Sequence, residues 1–392
     1  MSKKSINAKT QRREEGKEIQ VKPLRSSPLC VEEQIVSRWI RPQIRKLSAY
    51  PVPDASGLIK LDAMENPYHW PQDKIDQWLE LLRSAELNRY PDPHARRLKD
   101  RLREVMAVPA DAAMLLGNGS DEIIQMIIMA VSGEGRSVLS VDPGFVMYRM
   151  IADFCGMDYI GVPLREDFSL DAEAVLASIE QHQPAVVFLA YPNNPTGNLF
   201  ERADMLRIIE AAPGIVVVDE AYHAFAEDSF MPLLGEYENL LLMRTVSKMG
   251  LAGLRLGMLA GARQWLDEFD KVRLPYNINI LTQLSAGFAL QHAAMLAAQT
   301  QQIKQDRTKL YARMQALDAL RVFPSQANFI LFRVPAGKTA SVFEGLKTEG
   351  ILIKNMDKAG PLLRDCLRVT VGTAEENAAF LQALARINLP RS

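Results

Sequence analysis

The chain has 392 residues, 48% hydrophobic and 24% charged, with 46 Lys/Arg against 47 Asp/Glu and a formal net charge of −1. That composition is globular, with length for two domains and a substantial core. The balanced charge argues against a nucleic-acid or membrane-surface partner. The longest apolar runs, such as residues 123–131 interrupted by Gln125, are too short to span a bilayer. No N-terminal stretch has the basic-then-apolar order of a secretory signal, so a cytoplasmic location is expected. Cys30, Cys155 and Cys366 are odd in number and far apart, which suggests a reducing compartment, and the five histidines show no metal-ligand spacing.

In chain order, residues 1–30 read as a solvated tail; residues 1–27 hold eight Lys/Arg, three Glu and few large apolar side chains. A helix is expected over 31–47, kinked or ended by Pro42, within an arm running to residue 70. Pro51-Val52-Pro53-Asp54 then turns the chain. Short apolar runs at 137–141, 185–190, 215–218, 240–243 and 256–260 suit strands buried on both faces. Helical stretches such as 171–181 and 202–211 lie between several of them, which predicts an α/β domain over 71–280 with a mostly parallel central sheet flanked by helices. From 281 to 317 helix formers run almost unbroken, as a long helix or a helix pair. Strand-like segments at 327–334 and 367–371 complete a smaller α+β domain over 281–392.

Four segments carry chemistry. Strand 240–243 runs into Ser247 and Lys248, and a glycine-containing turn leads to Arg255. Desolvation at a strand end favours a neutral, nucleophilic lysine, and Ser247 and Arg255 are close enough in sequence to clamp a phosphate. Taken alone, Lys248 is an ordinary surface lysine after a strand. Asp219 ends the run Ile215-Val216-Val217-Val218, and Tyr222 follows three positions later. Ligands of open α/β sheets bind at the carboxyl ends of strands, where a carboxylate can keep a pyridine nitrogen protonated. A helix-capping Asp is an equal reading of that residue. Tyr191-Pro192-Asn193-Asn194-Pro195-Thr196-Gly197 fixes a tight loop at another strand end and presents Asn194. Gly117-Asn118-Gly119-Ser120-Asp121 opens an amphipathic helix; Ser120 suits the N-cap, and the helix start favours an anion. Most such turns bind nothing.

Together and in this order, the four segments resemble the fold-type I pyridoxal-phosphate enzymes, specifically the class I and II aminotransferases, over roughly residues 40–390. Leu61-Asp62-Ala63-Met64-Glu65-Asn66-Pro67-Tyr68, Asn88-Arg89-Tyr90-Pro91-Asp92, residues 245–257 and Cys366-Leu367-Arg368-Val369-Thr370-Val371-Gly372-Thr373 resemble the histidinol-phosphate aminotransferase family. That family usually has Asn where Met64 stands and often Tyr where Phe145 stands. The spacing from Lys248 to Arg255 is seven (255 − 248), one shorter than in many members.

The resemblance implies that Lys248 carries the cofactor covalently and acts as base, that Asp219 pairs with the pyridine nitrogen, and that Tyr222 and Asn194 contact the ring oxygen. Gly119, Ser120, Asp121, Ser247 and Arg255 would bind the cofactor phosphate, with Tyr90 arriving from the neighbouring subunit of a homodimer. Phe145 would stack on the ring; Arg368, Asn194 and Tyr50 would contact substrate. The implied reaction converts histidinol phosphate and 2-oxoglutarate into imidazole-acetol phosphate and glutamate, in histidine biosynthesis. An aromatic-amino-acid aminotransferase and a phospho-amino-acid decarboxylase share the cofactor residues and stay open as alternatives. A transcription regulator built on this fold needs a preceding DNA-binding domain, for which residues 1–40 are too short.

Overall fold

The structure, a computed structural model, describes residues 35–49 and 51–387. The chain divides into two compact units, residues 1–49 and 50–392. In the first, the expected helix is interrupted. Helical residues 35–39 end at Ile40, and Pro42 opens a separate short helix, Pro42–Arg45, at the position where a missing N–H costs nothing.

The second unit contains thirteen strands among the described residues: β1 (Ile59–Lys60), β2 (Ala113–Gly117), β3 (Ser137–Asp142), β4 (Asp158–Pro163), β5 (Val186–Ala190), β6 (Ile215–Asp219), β7 (Leu240–Thr245), β8 (Gly257–Gly261), β9 (Arg321–Val322), β10 (Phe329–Arg333), β11 (Ile351–Leu352), β12 (Lys354–Asn355) and β13 (Cys366–Thr370). Seven form one sheet in the order β2-β8-β7-β6-β5-β3-β4. Strand β8 runs antiparallel to both neighbours, and the other pairings are parallel. The sheet is therefore mostly parallel, as expected. Strands β2 and β4 are additions to the runs read from sequence: β2 contains no β-branched residue, and β4 ends on Pro163 at the sheet edge.

Side-chain alternation sends successive residues to opposite faces, and both faces are covered. Val187, Leu189, Val216, Val218 and Leu242 pack in one apolar core; Val186, Phe188, Val217, Leu241 and Met243 pack in another. Helices Ser120–Val131 and Val146–Cys155 cover the second face, and Ala172–His182 and Arg202–Ala211 cover the first. Each fully buried Val, Leu or Phe contributes ~1.5–3 kcal/mol by leaving water, which fixes the register of the strand ends that follow.

The predicted 281–317 stretch is a helix pair, Ile280–Gln291 and Ala293–Gln315, separated at His292. Beyond it, an antiparallel sheet has the order β12-β13-β10-β9, and its apolar side packs on Phe380 and Leu384 of helix Ala374–Arg386. Strand β1 pairs in parallel with β11, joining the start of this unit to its C-terminal part.

Candidate active site

The sheet order lines up the carboxyl ends of β7, β6, β5 and β3, and the predicted residues cluster there. Asp219 is the last residue of β6. Beyond β7, a turn of 3₁₀-helix, Ser247–Met249, presents Lys248. The loop after β5 supplies Asn194, and the segment after β3 supplies Phe145. One cavity is lined by Ser120, Asp121, Phe145, Asn194, Asp219, Tyr222, Ser247, Lys248 and Arg255, together with Met64, Ala190, Ala221 and Thr245.

The Lys248 Nζ donates to the Ala63 carbonyl at 3.2 Å and lies 5.9 Å from the Tyr222 ring centre. Burial, and secondarily the Arg368 charge, lowers its pKa to about 8, so its neutral fraction near neutral pH is far larger than that of an ordinary lysine. Asp219 is buried among apolar strands, and burial raises its carboxyl to about 6. Two hydrogen bonds oppose that shift. The Tyr148 hydroxyl donates to Oδ2 at 2.7 Å, and the Ala221 N–H donates to Oδ1 at 3.0 Å.

The Asn194 amide donates to the Tyr222 hydroxyl at 3.1 Å, while its Oδ1 accepts from the Arg368 guanidinium. Arg368, on β13, also donates to the Asp62 carbonyl at 3.2 Å and lies 5.1 Å from the Phe329 ring centre. It lines an adjoining cavity that shares Met64, Phe145 and Asn194 with the first.

At the other end, Gly119 rather than Ser120 is the N-cap of helix Ser120–Val131, so Ser120 sits in the first turn. The sequence placed the cap one residue late. Gly119 has φ +86°, and a Cβ there would stand 2.5 Å from Arg255 Nη2. A Cβ on Gly257 would meet the Gly119 carbonyl carbon at 2.7 Å. Only glycine lets these backbones and Arg255 approach around the helix start, whose first N–H groups have no intrahelical acceptor. Arg255 pairs with Asp121 at 3.0 Å. Thr245 Oγ1 accepts the Ser247 N–H at 3.1 Å and lies 2.8 Å from Ser247 Oγ, fixing that hydroxyl.

One predicted residue stands apart. Tyr90 is 81% exposed and stacks on Tyr276 at 4.4 Å between ring centres, away from this cavity. Tyr50 lies outside the described residues. Several contributors escaped the sequence reading. Tyr148 stands three residues after Phe145 on helix Val146–Cys155, on the face toward the sheet, so helical spacing was the available signal. Ala63 and Met64 enter by backbone, which side-chain patterns do not register. Glu220 and Arg244, beside Asp219 and Thr245, form a buried ion pair of 2.7 Å.

The chain resembles known proteins along most of its length. Residues 56–384 match the family model described as aminotransferase class I and II. A protein named histidinol-phosphate aminotransferase 2 from Nitrosococcus oceani is 59% identical over 349 residues, covering 89% of this chain and 97% of the relative. A protein of the same name from Cupriavidus pinatubonensis is 52% identical, covering 91% and 98%. Among solved structures, histidinol-phosphate aminotransferase from Sinorhizobium meliloti in complex with pyridoxal-5'-phosphate superposes with a TM-score of 0.79 at 23% identity, covering 89% of this chain and 97% of that one. The chain belongs to the class I and II aminotransferase family.

Proposed function

We infer that the chain is a pyridoxal-phosphate-dependent aminotransferase of histidine biosynthesis, exchanging the amino group of histidinol phosphate with 2-oxoglutarate to give imidazole-acetol phosphate and glutamate. The relatives at 59% and 52% identity carry that name over nearly their whole length. The observation that carries the reading is a single cavity holding a lysine lowered to about 8, a buried carboxylate and a glycine-framed helix start with an arginine beside it. Those groups fit pyridoxal phosphate: an amine for its aldehyde, a carboxylate for its ring nitrogen and donors for its phosphate.

When bound, the cofactor supplies an electron-withdrawing ring that accepts the electron pair left as a substrate C–H bond breaks. Lys248 Nζ would anchor it, and the same amine, when free, would serve as the base that moves the substrate α-proton. Asp219 Oδ atoms hold the proton at the ring nitrogen, and Tyr148 and Ala221 hold Asp219. Tyr222 and Asn194 orient the ring oxygen. Gly119, Ser120, Asp121, Ser247 and Arg255 bind the phosphate, and Phe145 stacks on the ring. Arg368 receives the anionic end of substrate, which is a phosphate ester in one half-reaction and a carboxylate in the other; its planar fork suits both. Residues 71–280 serve as the cofactor-binding part and 281–392 as the smaller part. In a cytoplasmic homodimer, Tyr90 and Tyr50 reach the neighbouring subunit's site.

Steady-state comparison of histidinol phosphate, phenylalanine and tyrosine as amino donors to 2-oxoglutarate tests the assignment. The largest kcat/KM is expected for histidinol phosphate. A larger value for an aromatic amino acid would replace the assignment with an aromatic aminotransferase.

A further inference from the structure

The cavity adjoining the cofactor site contains a polar cluster that the transamination steps above do not use. Asp142 ends β3, Arg149 lies on helix Val146–Cys155, and Tyr159 is on β4. The Arg149 guanidinium donates to Asp142 Oδ2 at 2.7 Å, and the Tyr159 hydroxyl donates to Asp142 Oδ1 at 3.3 Å. The guanidinium carbon lies 4.1 Å from the Tyr159 ring centre, so the pair is held against an aromatic wall. Gly161 makes the room: a Cβ there would stand 1.9 Å from Asp142 Oδ2 and 3.0 Å from Arg149 Nη2. An exposed ion pair is ordinarily of little weight. This one lies at the carboxyl end of β3, next to the edge of the seven-stranded sheet, in a cavity whose walls also include Phe145, Asn194 and Arg368.

A ping-pong enzyme must admit two substrates to one site, though never together. On the reading above, both place an anion on Arg368. Their other ends differ: histidinol phosphate carries an imidazole with an N–H to donate, and 2-oxoglutarate or glutamate carries a second carboxylate. A receptor for both has to offer an acceptor and a cationic donor within one cavity without a net charge that penalises either. Asp142 paired with Arg149 meets that requirement, because the charges cancel and the side chains remain 39% and 50% exposed. Tyr159 is pushed above the usual phenol range by burial and by Asp142, so its hydroxyl stays protonated and continues to orient the carboxylate.

We propose that Asp142, Arg149 and Tyr159 form the distal recognition site for both substrates, with Asp142 accepting the imidazole N–H and Arg149 binding the distal carboxylate. The inference rests on the histidinol-phosphate reading for its first arm. The second arm needs only a dicarboxylate substrate.

Single-turnover kinetics of each half-reaction, followed through the cofactor absorbance, separate the arms. Asp142→Ala is expected to weaken histidinol phosphate by ~10–100-fold while leaving glutamate unchanged or tighter, and Asp142→Asn, which keeps an acceptor, should recover part of the loss. Arg149→Gln is expected to weaken glutamate by a similar factor and to erase its advantage over norvaline, which lacks the distal carboxylate, while sparing histidinol phosphate. Equal losses for both substrates in both variants would make the cluster a structural brace and overturn the proposal, as would no loss in either. If the unmodified enzyme fails to use histidinol phosphate, the functional assignment falls, and the Arg149 arm is still decided by glutamate against norvaline.

Discussion

The Tyr148 hydroxyl donates to Asp219 Oδ2 across 2.7 Å, with both residues buried and the Tyr148 ring stacked on Phe188 at 4.7 Å and 12°. The stacking leaves the phenol one orientation, so the bond is built into the sheet face and does not depend on ligand. Its effect is electrostatic: it favours the charged carboxylate that burial disfavours.

In the apoenzyme, Tyr148→Phe should therefore raise the Asp219 carboxyl above its value of about 6. Carbon-13 NMR of the aspartate carboxyl reads this directly. An unchanged titration would mean that the Ala221 N–H alone sets the charge. The sign for stability follows from the raised pKa, up from 3.8. The folded state holds this proton more tightly than the unfolded chain, so the contribution is fully present below pH 3.8 and is lost as pH rises through about 6. Asp219→Asn should thus make the apoenzyme more stable than the parent at pH 8, by about 3 kcal/mol at most, with the advantage fading toward pH 4. Urea unfolding at the two pH values checks it.

Arg368 is 6% exposed and hydrogen-bonded to Asn194 and Asp62. Arg368→Lys should weaken histidinol phosphate and glutamate together, by about 2–5 kcal/mol each, because a point charge cannot reproduce the planar fork. Cofactor binding should persist, held by Arg255 and the turn at Gly119. Loss of the glutamate half-reaction alone would show that the phosphate has another anchor.

Glu220 and Arg244 form a desolvated pair, with Glu220 also accepting from Ser229 and the Phe230 N–H and Arg244 donating to the Met106 carbonyl. Removing one partner strands the other charge. Arg244→Met should destabilise the protein by about 3–5 kcal/mol, measured as a shift of the urea midpoint. A loss below ~1 kcal/mol would show that water reaches Glu220.

Met64 adopts φ +53°, a left-handed conformation that costs a residue with a Cβ ~1 kcal/mol. The Thr370 hydroxyl accepts its N–H at 3.0 Å and the Asn328 amide donates to its carbonyl at 2.9 Å, so neighbours hold it there. Asn tolerates this region better than Met. Met64→Asn should raise the apoenzyme Tm by about 1 °C, corresponding to about 0.5–1 kcal/mol. A lowered Tm would mean that the Met64 side chain contributes more by packing than its backbone costs.

What the sequence reveals follows the range of the interactions involved. Lys248, Asp219 and Asn194 were legible because each follows a continuous apolar run that can only be a buried strand. Helix Arg202–Ala211 matches its expected limits, and Asp171, expected inside its helix, proves to be the N-cap, its side chain accepting the Ala174 N–H. The bond from Tyr148 to Asp219 spans 71 positions and has no periodic signature. Gly119 displaced Ser120 from the cap because Arg255, distant in sequence, fills the space a side chain would need. Strand β2 was invisible because Ala, Met, Leu and Gly carry no strand preference of their own, and its pairing with β8 decides the matter.

The pairing of β1 with β11 joins Ile59 to Ile351, and the adjoining carbonyls of Asp62 and Ala63 reach Arg368 and Lys248. During synthesis from the N-terminus, residues 59–63 leave the ribosome long before either β11 or Arg368 exists. The central sheet has its strands in hand by Gly261, so cofactor-holding groups can assemble while the substrate end is still missing. The early segment must wait, without a strand partner, for the last quarter of the chain. Closure of the site is thus the slow, high-contact-order event, and the Asp62–Met64 backbone is the part of the active site most exposed to misassembly while it waits.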